Sequence, residues 1–69
     1  MENFICKKDG QIGHFKDPIY KGQEFFVLRN IMNECVLIVK EERKPNIIAK
    51  ETELRKYGIL LGTPALGGV

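Results

Sequence analysis

Cys6, Cys35 and His14 are the side chains of this 69-residue sequence best suited to hold a metal or attack an electrophile. A structural zinc site needs three or four ligands at close spacing, such as CxxC or HxxxH, and no two of these three residues are so paired. Each cysteine falls inside an apolar run, Phe4-Ile5-Cys6 and Cys35-Val36-Leu37-Ile38-Val39, where a reduced thiol packs as a small hydrophobe with a raised pKa. Both are therefore expected to be structural and reduced, a disulfide being open to them only if both face one core. His14, between Gly13 and Phe15, reads as a solvated loop ring that can serve as a binding contact. Glu41-Glu42 and Glu51/Glu53 supply paired carboxylates, but each pair adjoins Lys or Arg and reads as a solvated turn rather than an acid–base pair. The sequence contains no Ser, which excludes serine hydrolase chemistry, and Gly10-Gln11-Ile12-Gly13 falls short of a phosphate-binding glycine motif. The expectation is a non-enzymatic chain without metal or cofactor, whose function is binding.

Charge narrows the binding classes. Eleven Lys and Arg oppose nine Asp and Glu, for a net charge of +2, and the two signs are interleaved along the whole chain. Counterion release favours nucleic-acid binding where cations cluster, and here most cations have an acidic neighbour. A nucleic-acid interface is the alternative reading; it would use Lys7, Lys8, Lys16, Lys21, Arg43, Lys44, Arg55 and Lys56, with Phe15 or Tyr20 as stacking faces. The segment Met1-Glu2-Asn3-Phe4 lacks the pattern of a secretory leader, and no stretch approaches the roughly 18 apolar residues that span a bilayer. A cytoplasmic location with no membrane partner is expected.

The elements that must position these residues are strands. Ile and Val outnumber Ala by twelve to two, and β-branched side chains pack well on a pleated surface. Seven Gly and three Pro spread along the chain provide the turns of an all-β topology. A first strand covers residues 3–7 and ends at the turn pair Asp9-Gly10. Residues 10–23 are too punctuated for one strand and too apolar for a free linker, and are expected to form a long loop folded over the domain. Strands follow at 24–29, apolar on both faces in its middle, at 34–41 and at 46–50, separated by turns at 30–33 and 42–46, the latter fixed by Pro45. Residues 51–57 suit one helical or 3₁₀ turn that stops at Gly58, and 58–61 a closing strand. The uncharged, Gly-rich residues 62–69 form a C-terminal tail that either docks or hangs free.

This order is that of a five-stranded SH3-like barrel over residues 1–61. Phe4-Ile5-Cys6, Lys21-Gly22 ahead of Phe25-x-Val27, the strand Cys35–Val39, Ile47-Ile48 and Glu53-Leu54 together resemble the small SH3-like barrels common in bacterial and phage genomes. The resemblance implies binding through residues 9–23, 30–33 and 51–57, and an accessory or regulatory protein that docks on another protein. Recognition of PxxP peptides is not expected, because the chain has no Trp for the aromatic platform. Phe15, Tyr20 and Tyr57 are expected first as satellite core beneath the long loop and second as partner contacts. Ile31 and Met32, apolar in a turn, and Leu66 in the tail complete the candidate partner-binding residues. So small a core supplies only about 3–5 kcal/mol, which keeps homo-oligomerisation open.

Overall fold

A computed structural model describes residues 2–40 and 46–62 of the chain. Its strands are β1 (Glu2–Cys6), β2 (Gly10–Ile12), β3 (Asp17–Ile19), β4 (Glu24–Arg29), β5 (Cys35–Val39), β6 (Ile47–Ala49) and β7 (Gly58–Leu61), with one helix, α1 (Glu51–Tyr57), before the last strand. The β-branched bias is thus realised as an all-β chain with a single short helix. Five strands form one antiparallel sheet in the order β6-β5-β4-β1-β7, so the last strand lies beside the first.

Two expectations need correction. The stretch 10–23 is not only a folded loop: β2 and β3 pair as a separate antiparallel hairpin, with Gly10 opposite Ile19 and Ile12 opposite Asp17. Pro18 stands in β3 opposite Gln11, which a strand of a two-stranded ribbon tolerates because its other side needs no ladder bond. Nor do backbone ladders close a cylinder: among the described residues β6 and β7 are the two edges of the sheet and do not pair with each other. The core is completed by side chains instead. Ile12 and Ile19 of the hairpin and Leu54 of α1 are fully buried with Phe4, Phe25, Val27 and Leu37 of the sheet. Phe4 and Phe25 are cross-strand partners with ring centroids 6.0 Å apart.

Helix α1 runs seven residues, longer than the single turn its sequence suggested. Leu54, its one buried residue, anchors it, while Glu51 and Glu53 in the first turn and Arg55 and Lys56 in the last complement the helix dipole. The Gly58 N–H donates to the Leu54 carbonyl and turns the chain into β7. No side chain is tolerated at Gly58, since a Cβ there would lie 2.1 Å from the Ile5 carbonyl oxygen.

Register sorts the sheet into two faces. Phe4, Phe25, Leu37 and Ile47 point into the core. The outer face carries the row Leu61, Asn3, Phe26, Ile38, the row Ile59, Ile5, Glu24, and the row Leu28, Val36, Ile48. Antiparallel sheets with one wet face alternate apolar and polar residues, and this sheet does not. The turn 42–46, apart from Asn46, and the tail from Thr63 onward, with Arg43, Lys44 and Leu66, lie outside the described residues.

Candidate functional site

At one end of the molecule the tip of the β2–β3 hairpin meets the β4–β5 turn. Asn30 builds that turn, its Oδ1 accepting from the N–H groups of Met32 and Glu34, both at 2.9 Å. Its Nδ2 donates to Glu34 Oε1 at 3.1 Å, and Asn33 completes the turn with a positive φ of 61°. Asn is among the residues that tolerate this conformation. The other Glu34 oxygen, Oε2, accepts from His14 Nε2 at 2.9 Å. Hydrogen bonds from Asn30 and His14 hold the Glu34 carboxyl below its ordinary value.

The hairpin tip is fixed from two further sides. Gly13 N–H donates to Glu53 Oε1 at 3.1 Å, and His14 N–H donates to the Ile48 carbonyl at 3.2 Å. Gly13 takes a φ of 88° and a Cβ would meet Ile47 and Ile48, so glycine is required there. Helix, sheet and turn thus pin one hairpin tip. Phe15 projects from it 85% exposed, while Ile31 and Met32 project from the neighbouring turn 104% and 76% exposed.

Phe15, Ile31 and Met32, three of the residues expected to contact a partner, are therefore gathered at one end, whereas Tyr20 and Tyr57 lie elsewhere and Leu66 is outside the described residues. Tyr57 packs half-buried against the core beside Gly10, with Lys8 Nζ 5.5 Å from its ring centroid. Tyr20 is exposed and directly follows β3, in the turn that leads to β4, its N–H donating to Gln23 Oε1 at 2.8 Å. The satellite-core expectation holds for Tyr57 and fails for Phe15 and Tyr20. Phe15 sits on a hairpin turn with no core beneath it, and Ile19 takes the inward position beside Tyr20, turning the tyrosine outward. Tyr20 instead lines a cleft of about 180 Å³ with Pro18, Phe25, Val39 and Ile47, rimmed by Asp17 and Gln23.

The cations divide in a similar way. Lys7 and Lys8 N–H groups donate to the Tyr57 carbonyl, and Gly22 N–H donates to that of Cys6. These bonds bring Lys7, Lys8, Lys21 and Lys56 to one pole, where Asp9 accepts from the Lys21 backbone at 2.8 Å. Lys16 stands apart on the hairpin tip, and Arg55 is engaged by Glu51 at 2.9 Å.

The reading of Glu51 and Glu53 as a solvated pair is corrected too. Glu53 anchors Gly13, and Glu51 belongs to an ion network: Arg29 forms two 2.8 Å bonds with Glu2 and a 2.7 Å bond with Glu51, which also binds Arg55. Arg29 ends β4 on the inner face opposite Cys35, so its guanidinium is aimed at the helix start. It holds the Glu2 and Glu51 carboxyls below their ordinary values, and its own ionisation is pushed upward in return. Glu51 and Arg55 stand four residues apart, a spacing that pairs side chains on a helix, but Glu2 and Arg29 carried no signal of this network because they are far from it along the chain.

Cys6 and Cys35 are both buried as free thiols, and burial pushes both pKa values up, which removes nucleophilic character. Among the described residues no group of three or more His, Cys, Asp and Glu could hold a metal ion. Among the described residues no helix is long and apolar enough to cross a membrane.

No family model, curated protein or solved structure matches the chain. The surface that sequence reasoning missed is the outer sheet face, where Phe26, Leu28, Ile59 and Leu61 are 37–47% exposed. The signal was present in the unbroken apolar runs Phe25-Phe26-Val27-Leu28 and Val36-Leu37-Ile38-Val39, which put apolar side chains on both faces of a strand.

Proposed function

We propose that this chain is a non-enzymatic protein-interaction module, a small SH3-like barrel that docks on a partner protein through its Phe15–Ile31–Met32 end. The SH3-like reading is supported by the order β7-β1-β4-β5-β6, with a hairpin inserted between β1 and β4 and a helix ahead of the last strand. The observation that carries the docking site is the His14–Glu34 contact at 2.9 Å, which ties the two loops bearing the most exposed large apolar side chains. Pinned loops lose little entropy on binding, and exposed apolar side chains bury area against a partner. The resemblance to bacterial and phage barrels supports an accessory or regulatory role in the cytoplasm.

The test is affinity purification from the native cell with the wild-type chain and the double variant Phe15→Ala, Ile31→Asp. A protein retained by the wild type and lost by the variant, both showing the same far-UV circular dichroism, is the expected result. A set of retained proteins identical for the two chains removes the loop end as the docking site.

A second reading, nucleic-acid binding, is favoured by the pole that joins Lys7, Lys8, Lys21 and Lys56 beside the Tyr57 ring. It requires retention on DNA or RNA that weakens steeply with salt and is lost in Lys7→Glu, Lys8→Glu.

A further inference from the structure

The five-stranded sheet leaves its outer face uncovered, and that face is a different surface from the Phe15–Met32 end. Eight of its side chains are aliphatic or aromatic, and the four most open, Phe26, Leu28, Ile59 and Leu61, lie on β4 and β7. A wet face would be expected to alternate polar residues at these positions. We infer that this outer face is the contact surface of a homodimer, a second copy of the chain packing its own outer face against it.

Two properties select a second copy over other occupants, and a third sets the strength of the association. The first is neutrality. Among the described residues the paired rows of the face hold one charged side chain, Glu24, which pairs with Lys40 at 3.4 Å while the Lys40 ammonium lies 4.8 Å from the Phe26 ring centroid. A face whose charges cancel internally offers nothing to nucleic acid, to an anionic lipid surface or to a charged peptide, but it matches another neutral apolar face.

The second is a polar residue set within one of its apolar rows. Asn3, on β1 between Leu61 and Phe26, has a side-chain amide without a hydrogen-bond partner among the described residues. An amide carries both donor and acceptor, so Asn3 can pair with Asn3 of another copy across a two-fold axis. One polar residue in an apolar interface also selects a single register.

The third is extent. Strands about 4.8 Å apart, rising about 3.3 Å per residue and only three to six residues long, give a five-stranded face of about 360 Å² in flat projection per protomer. Two copies then cover about 700 Å² in all, below the roughly 1,000 Å² at which a stable specific interface begins, so the dimer is a weak one that forms at high protein concentration. Association also suits a 69-residue chain, whose own core is small.

The test is sedimentation equilibrium of the full chain from about 1 to 200 µM, with far-UV circular dichroism as the check on folding. The expected mass is twice 7.9 kDa at the upper concentrations, falling to 7.9 kDa for Phe26→Lys with an unchanged spectrum. Should Phe26→Lys not fold, Leu61→Lys on the edge strand makes the same measurement. Asn3→Asp places like charges across the axis, and should weaken association at least about tenfold at pH 7 and recover it near pH 5, where the carboxylate pair shares a proton. Ile31→Asp should leave the dimer intact, which separates this surface from the proposed docking end. A wild type that stays at 7.9 kDa throughout overturns the inference, as does a dimer that survives both lysine variants or is lost only in Ile31→Asp.

Discussion

Glu34 Oε2 lies 2.9 Å from His14 Nε2, and this bond joins loops 20 residues apart in the chain. The same carboxylate is held from its other side by Asn30, so the turn and the hairpin tip are coupled through one side chain. Glu34→Ala should shift the global unfolding transition only slightly, because the His14 ring it holds is half-exposed. It should instead speed native-state hydrogen exchange of the His14 amide by about 2–5-fold, the scale of one surface ion pair. Exchange equal to wild type would show that the Gly13–Glu53 and His14–Ile48 bonds hold the tip alone.

Arg29 ties β1, β4 and α1 together through Glu2 and Glu51, and its removal should be felt in stability and in pH dependence. Arg29→Met should cost about 1–2 kcal/mol by chemical denaturation, since a partly buried charge-assisted network is broken. The Glu2, Glu34 and Glu51 carboxyls all sit below the ordinary value of 4.5, so the folded state binds fewer protons than the unfolded chain. Their contribution is present above 4.5 and is lost as pH falls through the folded values. Wild-type stability should thus hold from pH 7 to about 5 and decline below, and Arg29→Met should show a shallower decline.

Gly58 and Gly22 make opposite demands on a side chain. Ala at Gly58 would put its Cβ 2.1 Å from the Ile5 carbonyl oxygen, where backbone must move, so Gly58→Ala should cost about 3 kcal/mol or more. Gly22 has open space around it but a φ of 97°, and Gly22→Ala should cost only about 1–2 kcal/mol. Equal losses at the two sites, measured by urea denaturation, would show that β1 and β7 can separate to admit a methyl group.

The hairpin built by β2 and β3 is part of the core on one side and bait on the other. Ile19→Ala should cost about 2–5 kcal/mol, as for any buried Ile, whereas Phe15→Ala should lie within about 0.5 kcal/mol of wild type. A large loss for Phe15→Ala would show that this ring is covered in the folded chain.

Cys6 and Cys35 should resist a thiol reagent in the native chain and react fully once urea unfolds it. Their folded pKa values are raised, so stability from this source is present below the ordinary thiol value of 9.0 and lost as pH rises beyond it. Rapid labelling of either thiol under native conditions would contradict their burial.

Local chemistry made much of this chain legible. The strand at 24–29, the helix at 51–57, its stop at Gly58 and the turn at 30–33 follow from β-branched runs, helix formers, glycine and asparagine, whose preferences act within a few residues. The hairpin inside 10–23 was hidden because two three-residue strands with a proline and two glycines nearby have too little pattern to register. Ile31 and Met32 stood out as apolar residues in a turn, but nothing in the order of residues said that Phe15 would join them, because that depends on a bond between His14 and Glu34.

The sequence by itself determined that this chain is built of strands, where most of its turns fall, and that its cysteines lie in apolar strands. Tertiary structure alone decided which apolar side chains face water, since register across β6-β5-β4-β1-β7 assigns each to one face or the other. It also decided which charges meet, because Glu2, Arg29 and Glu51 become neighbours only when the first strand, the middle strand and the helix are packed together. The physical reason is range: backbone preference is set by adjacent residues, whereas exposure and ion pairing are set by whatever the folded chain brings within a few ångströms.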